Sequence, residues 1–206
     1  LKWQCCLSVS DTGICLIPIA CLPEARRRAE AEGRSIEFET FGAGEGDWSY
    51  TPGLVEGPAG QRVILDGGWY DNSVYGPTAA GIAGVLFGLG QALPAVETAL
   101  QLFVGLPHRM ERVGEVGGVC FINDSKGTCL QAMEAAVKMA PGPVHLIVGG
   151  VLKEKISDSV KEVLALRRVT VYGIGEAVEI FEKAWSDAVP FRRCGTLPEA
   201  VKEAFS

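Results

Sequence analysis

A chain of 206 residues is long enough for one large domain or two small ones, and 48% hydrophobic against 21% charged residues is the balance of a soluble globular protein. Its formal net charge of −6, with no basic stripe, argues against a nucleic-acid partner. The longest early apolar run, ICLIPIACL over residues 14–22, is too short to cross a bilayer and has its positive charges after it, the reverse of a signal peptide; a membrane partner is not expected, and the cytoplasm is the expected compartment.

Residues 1–22 read as strand-like pieces, WQCCLSV and ICLIPIA, on either side of the turn residues SDTG. PEARRRAEAEG follows as a short polar helix with a glycine stop at Gly33. Its arginines, Arg26, Arg27 and Arg28, are flanked by acids and read as a solvated helix face. SIEFETFG alternates and predicts a strand. AGEGDWSYTPGLVEGPAGQ predicts loop and turn around an edge strand, and RVILDGGWYDNSV a strand and turn. FGAGEGD is glycine-rich but lacks the Gly-Lys-Ser/Thr of a P-loop, and no P-loop occurs elsewhere in the sequence. GPTAAGIAGVLFGLGQALP, residues 76–94, predicts a closely packed buried helix, and AVETALQLFVGL a second. PHRMERVGEVGG predicts a connection into a strand and turn, with the domain boundary at residues 105–112.

Beyond that boundary, apolar strands GVCFIND, PVHLIVGG and RVTVYGIG alternate with helices TCLQAMEAAVKMA, SDSVKEVLALR and EAVEIFEKAW, and LPEAVKEAF closes as a helix. This alternation predicts an α/β domain with helices packed on a parallel sheet. Ligands of such sheets bind beyond the carboxyl ends of the strands, where this chain places NDSK, GGVLK and GIGE.

The seven cysteines, Cys5, Cys6, Cys15, Cys21, Cys120, Cys129 and Cys194, are odd in number and form no CxxC pair. With two histidines beside them, buried free thiols in a reducing cytosol are expected in preference to a zinc site or disulfides.

Asp124, Ser125, Lys126 and Thr128 fall at a strand end ahead of a helix, a place that attracts anions through free N–H groups and the helix dipole. Lys126 adds a charge for carboxylate or phosphate, and Asp124 could hold a ribose hydroxyl or a water. The plainer alternative is that Ser125 or Thr128 caps the helix and Lys126 is solvated. Lys153 follows the paired glycines Gly149 and Gly150 and could reach the same crevice as Lys126, or sit on a glycine turn at the surface. His108 and Arg109 stand together after a helix; Arg109 could stack on a base or pair with phosphate, or the two could make a boundary salt bridge. His145, inside an apolar strand, reads as a satisfied core histidine. GIGEA at residues 173–177 lacks the third glycine of a dinucleotide turn.

Taken together, GLPHRMERV, GVCFINDSKGTCLQAMEAAV and VHLIVGG resemble the Mur ligases, nearest to the branch that adds D-glutamate. In that family GLPHR leads from an ATP-binding central domain into a Rossmann-like C-terminal domain that opens on an NDSKATN-type motif. The resemblance covers residues 36–206 and is densest over 105–150. It implies that residues 1–105 are part of the α/β central domain and 106–206 a Rossmann-like, parallel-sheet C-terminal domain, cut before its last strand. The first residue, Leu1 and not Met, fits the expectation of a piece of a longer protein.

The implied reaction is ATP-dependent amide formation in peptidoglycan precursor synthesis: a carboxylate of a UDP-MurNAc-peptide becomes an acyl phosphate, and the amine of a D-glutamate-type substrate attacks it. ATP and magnesium are the implied cofactors. By the motif match, His108, Arg109 and Asp124 lie by the nucleotide, and Lys126, Thr128 and Lys153 hold the amino acid's carboxylates. The resemblance implies no catalytic or metal-binding residue within this chain. Its departures are Gly127 and Cys129 in NDSKGTC; Val151 where an acid follows the paired glycines; and Gly76-Pro77-Thr78-Ala79-Ala80-Gly81-Ile82, where the histidine and both asparagines of a GxHNxxN segment are gone. The alternatives are a non-catalytic Mur-like module that binds nucleotide or amino acid, and an unrelated dinucleotide protein, disfavoured by the misplaced glycines. A P-loop in an upstream reading frame would favour the ligase, whose remainder would then be a partner of this chain.

Overall fold

A computed structural model describes residues 13–140, 142–152 and 154–206. They form two compact units, one ending at Val104 and the other beginning at Gly105. Among the described residues no helix is long and apolar enough to cross a membrane.

The first unit is built on a five-stranded sheet in the order β1-β2-β3-β4-β5. Strand β1 (Ile14–Pro18) buries alternate residues Cys15 and Ile17 against Ala25 of helix α1 (Leu22–Ala31). Pro23 presets the first turn of α1, and Gly33, at φ 66°, takes the chain out of it. On its solvent face Glu24 pairs with Arg27 and Arg28, whose hydrogen bonds hold its carboxyl down at about 2. Arg27 and Arg28 are therefore engaged within their own helix.

Strand β2 (Glu37–Ala43) lies parallel to β1 and also to β3 (Trp48–Thr51), although only residues 44–47 join β2 to β3. Parallel neighbours normally need a crossover of a dozen or more residues. Here the short return rests on Gly44 and Gly46, at φ 69° and 99°, and on Asp47, whose carboxylate accepts from the Thr40 N–H and hydroxyl at 2.8 Å. A side chain at Gly46 would meet the Phe41 backbone at 3.2 Å.

The region expected to be loop around an edge strand instead supplies two strands, β3 and β4 (Leu54–Glu56), and β3 is the central strand of the sheet. The Pro52-Gly53 turn that suggested a loop closes the β3–β4 hairpin, with Gly53 at φ 82° as a type II turn requires. Trp48 and Tyr50 are buried by alternation. β5 (Arg62–Ile64) forms one edge, and helix α3 (Leu93–Gln101) covers its last residue: the Ile64 N–H donates to Glu97 and its carbonyl accepts from Gln101.

Helix α2 (Gly76–Gly88) lies on this sheet with Ala79, Ala80, Gly81, Ala83 and Gly84 buried. Its small residues let it approach closely: a Cβ on Gly84 would come within 2.9 Å of the Trp48 indole. The core around it joins Trp48, Tyr50, Val55, Val63 and Leu65 to Val96 and Leu100 of α3.

The second unit opens with a two-stranded antiparallel ribbon, β6 (Glu111–Val116) and β7 (Val119–Asn123). Gly117 and Gly118, both at positive φ, make the two-residue turn between them. A three-stranded parallel sheet follows in the order β10-β9-β8, from β8 (His145–Gly149), β9 (Thr170–Ile174) and β10 (Phe191–Arg193). Helices α4 (Leu130–Met139), α5 (Asp158–Leu166) and α6 (Val178–Trp185) contribute to one core, Leu130, Val137, Val160, Leu164, Val171, Phe181 and Trp185. A second cluster joins Tyr172 and Cys194 to Ala200 of α7 (Leu197–Phe205).

The parallel sheet is as expected, with two corrections. GVCFIND is not one of its buried strands: β7 pairs only with β6 among the described residues and is largely exposed, Val119 at 43% and Ile122 at 38%. β10, only Phe-Arg-Arg, gave no apolar signal, yet it borders β9. Of the thiols expected to be buried, Cys15 and Cys194 are; Cys21 is half-buried, Cys120 and Cys129 are exposed, and Cys21, Cys120, Cys129 and Cys194 are free thiols. Cys5 and Cys6 lie outside the described residues.

Candidate functional site

The residues singled out at the start of the second unit come together in two short segments, 108–111 and 123–128. Their cross-links are specific. The Lys126 N–H donates to the His108 carbonyl at 3.1 Å, and the Met110 N–H to Asp124 Oδ1 at 3.0 Å. Asn123 Oδ1 accepts from the Ser125 N–H at 3.1 Å, which turns its amide nitrogen toward His108 Nδ1, 2.8 Å away. An amide nitrogen can only donate, so His108 Nδ1 accepts and the ring proton sits on Nε2. The His108 N–H in turn donates to Glu111 Oε2 at 2.8 Å. His108 and Met110 both take positive φ, at 63° and 47°, unusual for residues with side chains and held here by these bonds.

Arg109, Lys126 and Thr128 are exposed, and their side chains make no hydrogen bond or ion pair among the described residues. Two free cations and an Nε2–H donor suit an anionic ligand. The expected boundary salt bridge does not involve Arg109; only His108 approaches an acid, Glu111, at 3.6 Å.

The helix-capping alternative is corrected. Neither Ser125 nor Thr128 caps α4: the N-cap is Cys129, with no capping side-chain bond. Instead the Leu130 N–H donates to Glu154 Oε1 at 2.6 Å. A residue just after β8 thus reaches the start of α4, although β7 and β8 are not neighbours in one sheet, as the expectation of lysines at adjacent strand ends required. Lys153 lies outside the described residues.

The paired glycines have a packing role. A Cβ on Gly149 would lie 2.3 Å from the Ile174 carbonyl, and Gly150 and Gly175 pass each other at positive φ. His145 is satisfied, its Nδ1 2.9 Å from the Tyr172 hydroxyl, but it is exposed and not a core histidine. Among the described residues no three His, Cys, Asp or Glu side chains gather where they could hold a metal ion.

Sequence reasoning missed Asn123 and Glu154 as parts of this network. Asn123 was legible, standing inside NDSK; Glu154 carried no signal, because only the fold brings it to α4. In the first unit it also missed Asp71, whose carboxylate accepts from the Tyr50 hydroxyl at 2.9 Å, the Gly53 N–H at 2.7 Å and the Gly67 N–H at 3.0 Å. Burial pushes this carboxyl up, but the three donors outweigh it and leave it below the ordinary aspartate range. Burial, and then the bond to Asp71, push Tyr50 up to about 12.

No protein-family model matches the chain. It is 40% identical over 118 residues to a UDP-N-acetylmuramoylalanine–D-glutamate ligase of Nitratidesulfovibrio vulgaris, covering 57% of this chain and 26% of that one. A protein of the same name from Acidobacterium capsulatum is 39% identical over 136 residues, 65% of this chain and 28% of its own. The chain thus spans about a quarter of the length of these curated relatives. Among solved structures, MurF from Acinetobacter baumannii matches 99% of this chain and 47% of its own at a TM-score of 0.67 and 17% identity. MurC from Thermotoga maritima matches 80% of this chain and 41% of its own at 0.57 and 16%. At such identities the structural likeness concerns the fold.

Proposed function

The chain belongs to the Mur ligase family, and from that premise we propose that it is part of an ATP-dependent ligase of peptidoglycan precursor synthesis, joining a D-glutamate-type amino acid to a UDP-MurNAc-peptide. On this reading residues 1–105 belong to the ATP-binding central domain and 106–206 to the C-terminal domain, working in the cytoplasm where the precursor is built. Arg109 and the His108 Nε2–H face the nucleotide, with Asp124 beside its ribose. Lys126 and Thr128, with Lys153, take the amino acid's carboxylates. Bound ATP would supply the phosphoryl group that activates the acceptor carboxylate. No residue of this chain is assigned that step.

The observation that carries the reading is the pair of hydrogen bonds, one between backbone groups and one from the Met110 N–H to the Asp124 carboxylate, that ties residues 108–110 to 124–126. They fix the His-Arg and Asp-Ser-Lys segments together and leave the cationic side chains unpaired. Pinned backbone and free cation are what a charged ligand needs, since the ordering cost is already met before binding. The alternative, a non-catalytic binding module, draws on the GPTAAGI segment; it predicts the same ligands without turnover.

Calorimetric titration of ATP into the wild-type chain and into Arg109→Ala tests the nucleotide half. We expect binding that weakens at least about tenfold in the variant, the scale of a lost charge-assisted contact. Equal affinities would remove Arg109 from the site.

A further inference from the structure

The backbone of His108 is fixed on both sides. Its N–H donates to Glu111 Oε2 at 2.8 Å and its carbonyl accepts from the Lys126 N–H at 3.1 Å, so the freedom left to this exposed residue is rotation of its imidazole. Two side chains compete for that ring. Glu111 and Asn123 are direct cross-strand partners at the end of the β6–β7 ribbon away from its turn. Both approach His108 Nδ1, the Asn123 amide nitrogen at 2.8 Å and Glu111 Oε2 at 3.6 Å. Their demands are opposite: an amide nitrogen needs a bare Nδ1 to donate to, and a carboxylate needs Nδ1 to carry a proton. The distances favour Asn123, since 2.8 Å is a hydrogen bond and 3.6 Å is not.

Asn123 can hold the ring because it is itself held. It is half-buried, and its Oδ1 accepts from the Ser125 N–H at 3.1 Å. Turning that oxygen toward the ring would forfeit this bond. An imidazole whose Nδ1 accepts carries its proton on Nε2. Here the Nε2–H makes no hydrogen bond among the described residues, so it is a donor with its rotamer locked and its partner still to come.

We propose that Asn123 is a positioning residue: it keeps the His108 ring proton on Nε2, against the pull of Glu111, and so fits the ring to an acceptor oxygen of a nucleotide's phosphates. The inference rests on the reading above in taking a nucleotide as the ligand. Without Asn123 the ring turns toward Glu111, Nδ1 takes the proton, and Nε2 offers a phosphate oxygen only a lone pair.

The ring nitrogens can be read directly. Two-bond proton–nitrogen correlation spectra of the isotope-labelled chain, recorded at alkaline pH, distinguish its two histidines, and His145 is the internal standard. His108 should show a bare Nδ1 and a protonated Nε2. Asn123→Asp keeps an acceptor for the Ser125 N–H but cannot donate, so it should put a proton on His108 Nδ1 and leave His145 unmoved. ATP affinity is then measured by calorimetry in the wild type, Asn123→Ala, His108→Ala and the double variant. Asn123→Ala should weaken ATP binding several-fold, but by less than about twofold once His108→Ala has removed the ring. An asparagine that only supported the fold would weaken binding in both backgrounds.

A proton on Nδ1 in the wild type, or a bare Nδ1 in folded Asn123→Asp, overturns the proposal. So does an ATP affinity that Asn123→Ala leaves unchanged or lowers equally in both backgrounds. Should circular dichroism show Asn123→Ala unfolded, Asn123→Ser takes its place in the cycle. ATP bound by the wild type with the wrong tautomer overturns the positioning alone and leaves the nucleotide reading standing. No ATP binding by the wild type overturns that reading, and the role of the ring with it.

Discussion

Single residues decide whether the NDSKGTC motif has its observed shape. Gly127 is the clearest case: a Cβ there would lie 2.5 Å from Asp124 Oδ2, so the Asp124 carboxylate occupies the space that a side chain at this position would take. Gly127→Ala should push the carboxylate away and break its bond to the Met110 N–H, which should be seen as faster amide exchange at Met110. Unchanged exchange would show that Asp124 does not depend on Gly127. The residue types of the motif were legible in the sequence, and so was the strand before it. Its geometry was not, because the partners of Asp124 and Leu130 come from residues 110 and 154 and only the folded chain brings them near.

Asp71 and Tyr50 carry the pH dependence of the first unit. Asp71 is depressed in the folded state, so the stability it contributes is present above the ordinary aspartate value and is lost as pH falls through its folded one. Tyr50 is raised to about 12, so its contribution is intact below the ordinary tyrosine value near 10 and is lost as pH rises from there through about 12. Urea unfolding should show both losses. Asp71→Asn should flatten the acid one, and an unchanged acid profile in that variant would count against this assignment.

At the scale of elements, α2 shows how close packing can outweigh helix propensity. Replacing a helical glycine by alanine favours the helix by roughly 1 kcal/mol. At Gly84 the new methyl would come within 2.8 Å of Leu16 and 2.9 Å of the buried Trp48, and overpacking of this kind costs about 1–3 kcal/mol. Gly84→Ala should therefore destabilise on balance. Gly88→Ala, with nothing within 4 Å, should be neutral or slightly stabilising. Denaturant midpoints moving together in the two variants would contradict this packing. The small-residue run made α2 legible as a buried helix. β3 and β4 were hidden because strands of four and three residues, set among glycines and prolines, offer too few alternations to register. β10 was hidden because its arginines serve ion pairs with Glu182 and Glu203.

For the whole molecule, the alternation of strands and helices after residue 105 correctly indicated a parallel sheet. The ribbon β6–β7 departed from that pattern because an apolar run of five residues looks the same whether a sheet covers it or solvent does. The second unit is proposed to keep an amino-acid site at Lys126 and Thr128. This is tested most directly by titrating D-glutamate into the wild-type chain and into Lys126→Ala by calorimetry. The account predicts saturable binding to the wild type and a loss of about tenfold or more in the variant; no binding to the wild type, or equal binding to both, would contradict it.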